Sequence, residues 1–221
     1  MDLIHPLIQA YAEGYSSPED DLLKEIAVYT RVYHPEFHML SGHLQGKMLE
    51  MISRMIRPRR VLEIGTFTGY SGLCLAKGMA EDGVLHTIEL REKEASIAEG
   101  FFKKSKLAGQ IILHTGNALK IIPKLNESWD LVFIDADKTG YIEYFNLVLS
   151  KVRKNGFILA DNIFFQGQVF EQEIKARPNG SSGLGKNAKA IIAFNQFIQA
   201  RTDIDKMIIT LRDGLFLIRK L

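Results

Sequence analysis

Val61-Leu62-Glu63-Ile64-Gly65-Thr66-Phe67-Thr68-Gly69-Tyr70-Ser71 is an apolar run that breaks at a glycine and restarts as a helical pattern. Val61 to Ile64 have the composition of a short buried strand. Gly65 and Gly69 permit a tight bend and a close approach of backbone to a ligand. After Ser71, the residues Leu73, Leu75, Ala76 and Met79 recur at helical spacing, so the amide-rich start of a helix faces the turn.

Working outward toward the C-terminus, Leu85–Ile88, Ile111–His114, Leu131–Ile134 and Phe157–Ala160 are further strand candidates. Helical patterns over Lys93–Lys106, Ala118–Leu125 and Tyr141–Val152 separate them, with Gly156 placed to end the last. This alternation predicts an α/β fold, a parallel sheet covered by helices on both faces. Lys206–Leu211 and Leu215–Arg219 flank Arg212-Asp213-Gly214, the signature of a hairpin, which predicts an antiparallel edge. Pro178 to Gly185 reads as a mobile loop.

Toward the N-terminus, residues 1–56 carry helical patterns and no strand pattern. Leu3, Ile4, Leu7, Ile8 and Tyr11 form one apolar stripe. Leu22, Leu23, Ile26 and Ala27 form another after a helix start at Ser17-Pro18, and Met48, Leu49 and Ile52 mark a third helix. These helices are expected to cap one edge of the sheet. The chain therefore reads as one domain, 1–221, with a helical cap over 1–56 and a core over 57–221.

The chain has 221 residues, a formal net charge of +2 and an apolar fraction of 46%. That balance lacks the one-sided basic field of nucleic-acid binders, so nucleic acid is not an expected partner. No run reaches the ~18 apolar residues of a membrane span. The single cysteine, Cys74, falls on the apolar side of its helix and reads as a core residue in a reducing cytoplasm.

In an open parallel sheet, ligands bind beyond the carboxyl ends of the strands. The second strand ends at Glu89, twenty positions past Gly69, where a carboxylate can accept hydrogen bonds from ribose hydroxyls. The turn is not the G-x-G-x-x-G that approaches a pyrophosphate, and no phosphate-binding G-x-x-x-x-G-K-[ST] loop is present in the sequence. Glu63 would repel phosphates and suits the ammonium and sulfonium of S-adenosylmethionine. A nicotinamide cofactor and a turn without any ligand are the competing readings.

Two more strand ends carry oxygen ligands, Asp135-Ala136-Asp137-Lys138 and Asp161-Asn162. Asp135, Asp161 and Asn162 together favour a hard cation, Mg²⁺ before Mn²⁺ or Ca²⁺, over zinc. Asp137 reads instead as a helix cap or solvated loop residue. Lys138 can return to the same crevice, where a neighbouring cation would lower its pKa and make it a general base; a surface lysine is the alternative. His34 and His38, four apart with Pro35 between them, lack a third ligand for zinc, whereas His114 at a strand end is a candidate lining residue. Lys103, Lys104 and Lys106 read as a solvated face, and Phe133, Phe145 and Trp129 as core.

Joined in order, LEIGTFTGYS, FIDADK, LADN and the terminal RDGL resemble the cation-dependent O-methyltransferases that include catechol and caffeoyl-CoA O-methyltransferase, and the small bacterial members most. The similarity runs from about Met39 to the C-terminus. It implies a Rossmann-like class I methyltransferase fold, a mostly parallel seven-stranded sheet ending in an antiparallel hairpin. It implies Asp135, Asp161 and Asn162 as metal ligands and Lys138 as the base. Glu63, Gly65, Thr66, Phe67 and Ser71 would line the methionine part of the donor, Glu89 would hold the ribose, and Asn117 and Ala118 would border the adenine. Met39 and Ser41 would close over the donor, and Asp135 would also touch it. Two departures fall on the acceptor side: Phe164-Phe165 stands where relatives usually carry a tryptophan, and Asn187-Ala188-Lys189 lacks an Asp-Thr pair common there.

The expected activity is metal-dependent methyl transfer from S-adenosylmethionine to a hydroxyl of a vicinal diphenol, yielding S-adenosylhomocysteine. Residues 164–185 are expected to act as a lid that sets acceptor choice. A small phenolic substrate, a cytoplasmic location and a homodimer through the N-terminal helices complete the expectation. A nucleic-acid or protein methyltransferase and a non-catalytic nucleoside-binding protein are the alternatives.

Overall fold

A computed structural model describes residues 3–170, 175–176, 179 and 183–221. The helical cap comprises α1 (Pro6–Tyr15), α2 (Asp21–Tyr33) and α3 (His43–Ile56). The core alternates β1 (Arg60–Ile64), α4 (Tyr70–Ala76), β2 (Val84–Glu89), α5 (Glu92–Lys104), β3 (Ile111–Thr115), α6 (Ala118–Ile121), β4 (Trp129–Ile134), α7 (Tyr141–Lys151) and β5 (Val152–Ala160). After α8 (Lys186–Ala200) the chain ends in β6 (Ile204–Ile209) and β7 (Leu215–Lys220).

The sheet has seven strands in the order β3-β2-β1-β4-β5-β7-β6. The first five are parallel, whereas β7 runs antiparallel to both β5 and β6. The predicted hairpin therefore does not simply add to the edge: its second strand inserts beside β5, and its first becomes the border. Strand order reverses between β1 and β4, which lie side by side although α4, β2, α5, β3 and α6 separate them in sequence. Their carboxyl ends, with those of β2 and β5, open one crevice.

Alternation along the strands sends side chains to two cores. Leu62, Ile64, Val132 and Ile134 pack with Phe145 of α7 and Phe194 of α8 on one face. Val61, Leu131 and Phe133 pack on the other with Leu73 of α4, Leu23 and Ile26 of α2, and Leu49 and Ile52 of α3. The cap thus covers a face of the sheet, not an edge, because the apolar stripes of α2 and α3 are buried against α4.

Three boundaries differ from expectation for local reasons. α2 starts at Asp21, since the Asp20 carboxylate accepts from the Leu23 amide at 2.9 Å and caps it. α7 passes directly into β5 at Val152, leaving Gly156 inside the strand, where a Cβ would lie 2.7 Å from the Val152 side chain. α6 stops at Ile121 because Pro123 falls in the following 3-10 turn. The first apolar stripe also divides: Leu3 and Ile4 line a cavity, whereas Leu7, Ile8 and Tyr11 stay 63–73% exposed on α1. Of the expected loop over Pro178–Gly185, residues 178 and 180–182 lie outside the described residues.

Candidate active site

The crevice is a cavity of about 940 Å³. At its start, Gly65 adopts φ 102° and its amide donates to the Ile88 carbonyl at 2.9 Å. A Cβ there would stand 1.9 Å from the Asp135 carbonyl oxygen of the next strand end, so only glycine lets this turn and the Asp135 loop meet.

Glu89, at the tip of β2, lines the cavity with its carboxylate held from two sides. Oε2 accepts from the Phe67 amide at 2.8 Å and Oε1 from the Arg91 amide at 3.0 Å. Asn117 caps α6 through the Leu119 amide at 2.8 Å, and with Ala118 it also borders the cavity. Met39, Ser41, Thr66, Phe67 and Ser71 line the same space.

Glu63 is the exception among the expected donor residues. It is completely buried and lies one layer behind the wall. Its Oε1 accepts from Ser71 Oγ at 2.6 Å and its Oε2 from Thr87 Oγ at 2.5 Å, and Thr87 Oγ in turn meets Thr66 Oγ at 2.5 Å. Glu63 thus acts on the cavity through Ser71 and Thr66. Burial, reinforced by the charges of Asp135 and Glu89 and opposed by these hydrogen bonds, pushes its carboxyl up to about 8.

At the ends of β4 and β5, Asp135, Asp161 and Asn162 come together with Lys138. The ammonium of Lys138 donates to Asp135 Oδ1 at 3.0 Å, to Asn162 Oδ1 at 2.7 Å and to the Tyr141 hydroxyl at 2.8 Å. The Tyr141 hydroxyl in turn donates to the Asp161 carbonyl at 3.0 Å. Asp161 is 3% exposed; its Oδ1 accepts from the Asn162 amide at 2.7 Å and its Oδ2 from Gln45 Nε2 at 2.5 Å. Burial first and Asp135 second raise the Asp161 carboxyl to about 6.

This group fits a hard cation. Oxygens of Asp135 and Asn162 already converge on one positive centre, the Lys138 ammonium, and Asp161 adds charge beside them. Two carboxylates and an amide suit Mg²⁺, Mn²⁺ or Ca²⁺. Among the described residues no group of three or more His, Cys, Asp or Glu side chains is arranged to hold a metal ion.

Lys138 sits among these oxygens. Burial pulls its pKa down, but Tyr141, Asp135 and Asp161 outweigh burial and hold the ammonium well above the usual lysine range. In this arrangement Lys138 is a bound cation before it is a base. Asp137 stands at the N-cap position of the turn that starts at Lys138, but its carboxylate caps no amide and instead accepts from Thr139 Oγ at 3.1 Å and from the Tyr144 hydroxyl. His114 faces away from the cavity and meets His86 at 3.0 Å, whereas His34 pairs with Glu94 at 3.1 Å.

Three participants carried no signal that sequence reading used. Gln45 looks like any polar helix residue, Tyr141 like any helix-start aromatic, and Arg212 was only part of a turn. The Arg212-Asp213-Gly214 turn in fact straps the β5 end: the Phe164 amide donates to the Asp213 carbonyl at 2.8 Å and the Gln166 amide to Asp213 Oδ1 at 2.6 Å. Asn162, Phe165, Gln166 and Arg212 all have φ between 45° and 57°, a concentration of backbone strain typical of functional loops.

The family model of O-methyltransferases matches residues 13–221. The chain belongs to that family. This methyltransferase is 32% identical to a catechol O-methyltransferase of Niastella koreensis over 169 residues, covering 75% of this chain and 72% of the relative. It is 30% identical to a probable caffeoyl-CoA O-methyltransferase of Dictyostelium discoideum, covering 96% of this chain and 90% of the other. A solved, SAH-bound methyltransferase of Podospora anserina superposes with a TM-score of 0.86 at 29% identity, covering 97% of this chain and 94% of that one. The chain is thus an S-adenosylmethionine-dependent O-methyltransferase of the catechol and caffeoyl-CoA type, with the class I methyltransferase fold. Among the described residues no helix is long and apolar enough to cross a membrane.

Proposed function

We propose that this enzyme transfers the methyl group of S-adenosylmethionine to one hydroxyl of a small vicinal diphenol with the help of a divalent cation, Mg²⁺ first. The observation that carries this reading is the convergence of Asp135, Asn162 and buried Asp161 at the wall shared with the donor turn. A cation held by these three residues supplies a Lewis acid that lowers a phenol pKa and fixes its oxygens.

The chain's own residues do the rest. Glu89 binds the donor ribose, and Ser71, oriented by Glu63, borders its methionine end. Lys138 would accept the phenolic proton at Nζ in its neutral form; a cation held by Asp135 and Asp161 would offset the carboxylates that keep the ammonium protonated, and the ammonium would first give up its proton to solvent. Tyr141 and Asn162 keep Nζ aimed at that proton. The phenolate oxygen then forms its bond to the methyl carbon while the carbon–sulfur bond breaks, and sulfur keeps the electron pair as the neutral thioether of S-adenosylhomocysteine. Holding both reactants in line supplies much of the rate.

Methyl transfer from labelled donor to catechols and caffeoyl esters, before and after chelation and with Mg²⁺ restored, tests the proposal. Activity on catechol that falls on chelation and returns with Mg²⁺ is expected. Undiminished activity after chelation would remove the cation from the reading, and transfer to nucleic acid or protein but to no phenol would remove the substrate. The exposed apolar side chains Leu7, Ile8, Tyr11 and Tyr15 of α1 support a homodimer through the cap. The buried thiol of Cys74 suits a reducing, cytoplasmic setting.

A further inference from the structure

We infer that Gln45, on cap helix α3, is a positioning residue for the cation site, and that Arg212 locks it in place while tying it to the donor-covering segment at Ser41. The inference rests on the cation reading above and goes beyond it, because neither residue is a ligand.

Gln45 is 2% exposed, and both ends of its amide are used in opposite senses. Nε2 donates to Asp161 Oδ2 at 2.5 Å, and Oε1 accepts from Arg212 Nη1 at 3.1 Å. The amide cannot flip without pointing two acceptors, Oε1 and Asp161 Oδ2, at each other, so Arg212 sets which end faces Asp161. The Asn162 amide holds Asp161 Oδ1 from the other side. One hydrogen bond on each oxygen fixes the carboxylate plane and leaves further lone pairs free, the usual arrangement behind a ligating carboxylate.

Arg212 also donates to the Ser41 carbonyl. Ser41 lines the cavity four residues before Gln45, on the chain that enters α3. One guanidinium thereby joins the β6–β7 turn, the segment over the donor and the residue behind Asp161. The two halves of the site are connected through the cap, although the cap supplies no cation ligand.

The test is Mn²⁺ affinity of the full-length enzyme, read from the free-ion signal in electron paramagnetic resonance, with S-adenosylhomocysteine affinity by calorimetry. Gln45→Leu keeps the volume and removes both hydrogen bonds. It is expected to weaken Mn²⁺ by about 10–100-fold and to broaden the bound-ion spectrum. Arg212→Gln, which leaves Gln45 in place but unanchored, is expected to weaken Mn²⁺ by about 2–10-fold, the loss of one ordinary hydrogen bond, and to weaken S-adenosylhomocysteine as well. Unchanged Mn²⁺ affinity in Gln45→Leu overturns the inference while the cation reading stands. Should Gln45→Leu fail to fold, unchanged Mn²⁺ affinity in Arg212→Gln overturns it equally. No Mn²⁺ binding by the unaltered enzyme defeats both.

Discussion

Lys138 and Glu63 are two buried ionisable groups shifted in the same direction for different causes. Lys138 is held charged by Asp135, Asp161 and Tyr141, and Glu63 is held neutral by burial. Lys138→Met should lower kcat by about 10²–10⁴-fold, the usual scale for loss of a general base, with S-adenosylhomocysteine affinity by calorimetry unchanged; a kcat within threefold of the original would exclude the base role. For Glu63, a carboxyl at about 8 in the folded chain and 4.5 outside it means that the native state binds more protons between those values. Its contribution to stability is therefore fully present below about pH 4.5 and is lost as pH rises through 8. Glu63→Gln removes that dependence, since an amide can still accept from Ser71 and donate to Thr87. The variant should gain several degrees in unfolding midpoint over the unaltered chain at pH 9 and much less at pH 5. An equal difference at both values would show Glu63 to be ionised throughout.

At the scale of elements, what matters is how closely strand ends approach. β1 and β4 are neighbours, with Ile64 opposite Ile134, so the residues after each strand, Gly65 and Asp135, are pressed together. Gly65→Ala would combine a left-handed φ with a carbonyl oxygen 1.9 Å from the new carbon. Strain and overlap each cost about 1–3 kcal/mol, and the unfolding midpoint should fall by roughly 5 °C or more. A stable variant with normal donor affinity would show that the turn relaxes freely. The elements themselves were legible because their causes are local. The five parallel strands, the terminal hairpin and the helices between them follow from apolar runs, glycine turns and periodicity. Boundaries were read less well where one residue decides them, as with the Asp20 cap, or where a glycine such as Gly156 serves close packing inside a strand instead of ending a helix.

For the whole molecule, the cap both packs in the fold and lines the cavity, through Met39 and Ser41. α2 and α3 bury their stripes on the face that also carries α4, whereas α1 buries none of its residues. If the proposed dimer forms through α1, Leu7→Glu combined with Tyr11→Glu should convert it to a monomer in light scattering and keep the far-UV circular dichroism, since both residues are exposed on α1. A monomer before substitution, or a dimer after it, would place the interface elsewhere.

Residue chemistry along the chain was enough to bring the glycine turn, Glu89 and the oxygen set of Asp135, Asp161 and Asn162 to one crevice, because strand ends in a parallel sheet share one crevice whatever their separation in sequence. Tertiary structure alone decided that Glu63 stands behind the wall and that Tyr141, Asp135 and Asp161 together outweigh burial at Lys138. It alone decided that Gln45 and Arg212, 167 positions apart, meet behind Asp161. Those outcomes depend on distances of a few ångströms between segments that no periodicity relates, and hydrogen bonding and charge interaction act only across such distances.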